Sequence, residues 1–135
     1  MRTHWLSELE IEGREKVFPI EPHLDFHRIK MASAVVIDFG RGDSDGSCPS
    51  LVLTADYHTE SKAYILTMRF EGIRELVFPE MQPFLRFGEL EIEDVRNRML
   101  EGVQFEVVSH YDRSFRCLCR KIAIVGFEPV SILGD

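Results

Sequence analysis

The sequence contains no apolar run near the roughly 18 residues that a membrane-spanning helix needs. Its opening, MRTHWLSELEIEG, carries several carboxylates and no apolar stretch of signal-peptide length. A chain that neither crosses a membrane nor carries a secretory signal is therefore expected. Cysteines are few: Cys48, Cys117 and Cys119. An odd number, with two of them separated by one residue, does not make a disulfide framework, and a reduced cytoplasmic location is the simplest expectation. Positive charge is also in the minority. Against 23 Asp and Glu stand 16 Lys and Arg, a formal net charge of −7. Non-specific binding to nucleic acid or to anionic lipid needs positive potential, so neither partner is expected. A basic protein partner is compatible with this balance. No phosphate-binding glycine loop, dinucleotide fingerprint or nucleophile elbow is present, and no cofactor is expected.

What is present is apolar alternation. The 135 residues suit one domain spanning 1–135, large enough to hold a core without metals or disulfides. The organising stretch is Ala63–Pro79, AYILTMRFEGIRELVFP, in which Tyr64, Leu66, Met68 and Phe70 share one face. Glu71-Gly72 interrupts it as a tight turn or a bulge. Ser33–Phe39, Leu51–Tyr57 and Val103–Ser109 alternate in the same way, and Phe115–Val125 pairs back on Val103–Ser109. Trp5–Gly13 reads as a strand with a charged outer face. The segment Gly88–Asp94 repeats its ELEIE, two exposed strands with one pattern. His23–Met31 reads as extended, with a short helix after Pro22 as the alternative. Val95–Glu101 reads as a helical turn ended by Gly102, with Asp94 as its cap; the alternative is a helix over 89–101. The fold class is mainly β: an antiparallel β-sandwich or open barrel of about eight short strands, with at most one or two short helices.

Several residue groups have the chemistry of sites. His23, Asp25 and His27 lie two apart, so all three share a face on a strand, and two imidazoles with a carboxylate suit zinc or iron. The plainer account is a pair of surface histidines. Cys117 and Cys119 share a strand face, but paired zinc-ribbon cysteines are spaced wider, and both read as small buried apolar residues. His110, Asp112 and Ser114 have the residue types of a hydrolase triad but sit in one turn, where such residues are ordinary turn formers. Asp43-Ser44-Asp45-Gly46 fails as a calcium loop, because Arg41 and Val52 fall at ligand positions. The adjoining Arg41-Gly42-Asp43 is a polar loop. Glu8, Glu10, Glu12, Glu89, Glu91 and Glu93 line the two ELEIE segments and are the candidate contacts for a basic partner.

The segments YILTMRFEGIREL, LEIEDV and LEGVQFEVVSHYDRSFRCLCRKIAI, between Tyr64 and about Ile124, resemble small β-rich bacterial families of unknown function. These include immunity proteins of polymorphic toxin systems. The resemblance implies a compact protein-binding module without catalysis, one that neutralises a toxin. The alternative is a small-ligand or metal-binding β-barrel using His23, Asp25 and His27. A third possibility is a structural subunit that oligomerises through an edge strand.

Overall fold

Alternation in sequence becomes alternation in burial most fully at Ser50–His58 and Ala63–Glu71, where every second side chain is buried. The structure, a computed structural model, describes residues 2–39, 49–78, 85–86, 89–109 and 115–130. Its strands are β1 (Arg2–Thr3), β2 (Ile29–Asp38), β3 (Ser50–His58), β4 (Ala63–Glu71), β5 (Arg74–Val77), β6 (Leu85–Arg86), β7 (Leu90–Asp94), β8 (Phe105–Ser109), β9 (Arg116–Cys119) and β10 (Lys121–Pro129). They form two five-stranded antiparallel sheets, β1-β7-β8-β9-β5 (sheet I) and β10-β4-β3-β2-β6 (sheet II), which do not close into a barrel. The core lies between them. Leu51, Leu53, Leu66, Met68 and Phe70 of sheet II belong to the same buried cluster as Ile92, Phe105, Val107, Cys117 and Cys119 of sheet I. Among the described residues there are no α-helices, only single 3-10 turns, and no helix is long and apolar enough to cross a membrane.

Glu71-Gly72 is neither a hairpin turn nor a bulge. β4 pairs with β10 in sheet II, and β5 pairs with β9 in sheet I. The chain therefore changes sheets at Gly72, and the expected Phe115–Val125 strand changes sheets at Arg120 beside it. The Arg120 N–H donates to the Glu71 carbonyl at 2.9 Å across this corner. Gly72 has φ +66, and a Cβ there would lie 3.0 Å from the Cβ of Arg120. Glycine supplies both the left-handed backbone and the close approach.

Trp5–Gly13 also departs from the expected strand. A 3-10 turn over Leu6–Glu8 shifts the alternation by one residue, so Leu6, Leu9 and Ile11 are buried while Trp5 remains 37% exposed. The segment pairs only through two isolated bridges, Trp5 antiparallel to Asp25 and Glu12 parallel to Ala123. The Glu12 N–H donates to the Ile122 carbonyl and the Glu12 carbonyl accepts from the Ile124 N–H, which covers part of the outer edge of β10. The rest of that edge holds a bulge between Ile124 and Gly126 and ends in Pro129, features that discourage further strand pairing. Segment 89–101 is β7 followed by a 3-10 turn over Arg96–Arg98, not a helix. Asp94 caps that turn by accepting the Arg96 N–H at 3.0 Å.

Gly13 (φ +86) is the residue this edge depends on: a Cβ would fall 2.1 Å from the Ile124 carbonyl oxygen. Gly13→Ala should lower stability by more than about 2 kcal/mol, because a strained φ and a backbone collision add. Urea denaturation measures this, and an unchanged midpoint would contradict the packing described.

Candidate functional site

The most organised polar cluster among the described residues lies where the N-terminal segment meets the approach to β2. Leu24 and Phe26 are fully buried and anchor the chain on either side of Asp25. Trp5 bridges antiparallel to Asp25. The Leu6 N–H donates to the Leu24 carbonyl at 3.1 Å, and the Phe26 N–H donates to the His4 carbonyl at 2.7 Å. The Asp25 N–H donates to the hydroxyl of Tyr57 at 2.9 Å. With its main chain held this way, Asp25 caps the 3-10 turn Phe26–Arg28 by accepting the His27 N–H at 2.9 Å. The same Oδ1 lies 2.6 Å from Nδ1 of His4.

β1 brings the fourth member. Arg2 pairs with Glu93 and Thr3 with Ile92, so the next register position sets His4 beside Glu91. Glu91 Oε2 lies 2.9 Å from Nε2 of His27. The imidazoles of His4 and His27 stack, with centroids 4.0 Å apart and planes 13° from parallel. The indole of Trp5 tilts against His4 at 4.4 Å. The site is thus two stacked imidazoles, each joined to a carboxylate and all part-buried. Of the residues expected to share a metal, Asp25 and His27 are together, but their companion is His4. His23 is exposed and lines an adjacent cleft with Asp25, Trp5 and Glu21. Sequence spacing pointed to His23 because it lies nearby in the chain; His4 arrives through strand register, which local spacing does not encode.

The candidate glutamates divide. Glu8, Glu10, Glu12 and Glu89 are exposed; Glu8 accepts from the Thr3 hydroxyl, and Glu12 meets Lys121 at 3.1 Å. Glu91 is held by His27. Glu93 pairs with Arg98 at 3.2 Å and with Arg2 at 4.0 Å. Glu93 also stands directly opposite Glu106 across the β7–β8 ladder. Buried Glu106 is bound by Arg116 at 2.8 Å, with Arg98 at 3.6 Å and Arg2 at 4.0 Å. Glutamates on the outer face of β7 are therefore parts of an ion-pair lattice. Desolvation acts to raise the Asp94 carboxyl, but hydrogen bonds from the Arg96 N–H and guanidinium hold it below its ordinary value.

A cleft of about 640 Å³ opens between segment 10–16 and β10, lined by Glu10, Glu12, Glu15, Lys16, Arg69 and Val125 among others. Its cations are turned inward on the protein itself. Arg14 donates to the Leu9 carbonyl at 3.0 Å and Lys16 to the Val125 carbonyl at 3.3 Å, while Arg69 pairs with Glu71 at 3.0 Å.

Cys117 and Cys119 are both buried and free. A hydrogen bond with Cys117 and burial push the Cys119 thiol far above its ordinary range, which suits packing rather than nucleophilic chemistry. Cys48, Asp43-Ser44-Asp45-Gly46 with its Arg41-Gly42-Asp43, and His110, Asp112 and Ser114 lie outside the described residues.

Two antiparallel sheets over one core, with ion pairs at the surface and buried thiols within, define a mainly β protein. The family model for Immunity protein PIM8 matches residues 25–125, and the chain belongs to that family. No curated protein and no solved structure matches it significantly.

Burial pushes the Tyr57 phenol up to about 12. A raised folded value means the stabilisation is complete below about 10, the ordinary tyrosine value, and is lost as pH rises from there through about 12. Stability should fall over that window, and Tyr57→Phe should flatten the loss. The same substitution should cost about 1–2 kcal/mol at neutral pH by leaving the Asp25 N–H unpaired. Denaturation midpoints from about pH 7 to about 12 check both effects.

Proposed function

We propose that this protein neutralises a toxin by binding it, with no catalysis of its own. The observation that carries this reading is membership of an immunity-protein family over residues 25–125. The formal charge of −7 supports a basic partner, because complementary potential speeds encounter and rejects wrong partners. The six glutamates expected at the interface do not contribute equally. Glu91 and Glu93 are engaged within the molecule, and we assign them to holding the surface in shape. Glu8, Glu10, Glu12 and Glu89 are left as the outward carboxylates. Of these, Glu10 and Glu12 border the cleft beside β10, together with Glu15. This cleft is the proposed seat for cationic side chains of the toxin, and Val125, 42% exposed, offers an apolar contact within it.

Co-expression with a toxin whose gene is found beside the one for this chain tests the reading directly: growth should be restored and the two chains should co-purify. Reversing Glu8, Glu10 and Glu12 together to lysine should weaken the complex at least about tenfold, mostly through slower association, and the association rate should fall with added salt. The folded stability of this triple variant should change little, since all three side chains are exposed. Binding that ignores the triple reversal would overturn the electrostatic contact, and failure to protect would overturn the function.

A further inference from the structure

We propose that His4, Asp25 and His27 form a binding site for a divalent metal of the zinc class, supported by Glu91. One ligand atom from each of the three lies within 4.8 Å of the others. Two imidazoles and a carboxylate are a donor set suited to borderline divalent ions, and three protein ligands leave a position open for water or for a partner's side chain. This site is independent of the toxin-binding cleft, and neither reading depends on the other.

Three features make the cluster a built site. Its main chain is fixed by the Asp25–Tyr57 bond and by the backbone bonds that join residues 4 and 6 to residues 26 and 24. Glu91 holds Nε2 of His27, the carboxylate–imidazole pairing that orients a ligating ring, and this leaves Nδ1 as the nitrogen for the ion. Asp25 and Glu91 also place two carboxylates around two imidazoles, which favours a dication over a third neutral group. His4 Nδ1 and Asp25 Oδ1 lie 2.6 Å apart, at hydrogen-bond distance. A metal ion between them moves the two atoms to the roughly 3.3 Å spacing that tetrahedral ligands about 2 Å from zinc must have. Stacked rings direct their lone pairs side by side, so binding tilts one ring out of the 13° stack.

Trp5 is the sole tryptophan and packs on His4, which makes it a reporter of this site. Titration of tag-free full-length protein with Co²⁺ should quench Trp5 fluorescence and develop visible absorption, and Zn²⁺ should displace the cobalt at one equivalent. His4→Gln and His27→Gln should each weaken zinc binding at least about tenfold, and His23→Gln should leave it unchanged. Circular dichroism checks that each variant is folded. Should either ligand variant fail to fold, Glu91→Gln replaces it, with weaker zinc binding expected again. No zinc retained at one equivalent after dialysis would overturn the proposal. So would affinity that survives both ligand substitutions, or affinity lost only in His23→Gln.

Discussion

The architecture depends on one corner, where two antiparallel strands leave one sheet for the other side by side. β4 continues into β5 through Gly72, and β9 continues into β10 through Arg120. A backbone hydrogen bond from Arg120 to Glu71 pins the crossing. Because β4 pairs with β10 and β5 with β9, the two sheets share a single bent ribbon instead of meeting only through side chains. The core then fills the angle that this ribbon sets. Bends of this kind are how orthogonally packed sheets make their corners, and here the bend needs a left-handed residue with no side chain facing Arg120.

Most strands were legible in the sequence, and so was the hairpin pairing of β8 with β9; the other pairings were not. Period-two alternation marks β3 and β4 almost to the residue, since one face of each meets the core and the other meets solvent. The same pattern is silent about which sheet a strand joins, so Ala63–Pro79 read as a single strand or a hairpin although it belongs to both sheets. ELEIE shows the limit from another side. At Leu90–Asp94 it forms a ladder with β8. At residues 8–12 the same letters bury Leu9 and Ile11 yet pair only at Glu12, because a 3-10 turn precedes them. A five-residue pattern sets which side chains are inside, and the neighbouring chain decides whether the backbone finds a partner.

The polar cluster was half legible. Asp25 and His27 stand two apart and share a site, as their spacing suggested, though by way of a capped 3-10 turn and not a strand. His4 joins them from 21 residues away, delivered by the pairing of β1 with β7, and Glu91 comes from farther still. The one local clue was that β1 runs directly toward Leu6, whose burial requires this segment to return to the core. Membership of an immunity family agrees with the resemblance carried by the segments from Tyr64 to Ile124.

The arginine–glutamate lattice on the outer face of sheet I has a consequence for the molecule as a whole. Arg2, Arg98 and Arg116 are matched there by Glu93, Glu106 and Glu75, so these six groups cancel within the total of −7. The negative excess therefore lies with residues outside this lattice. In general, charge spread unevenly over a protein turns an approaching charged molecule before any atoms touch.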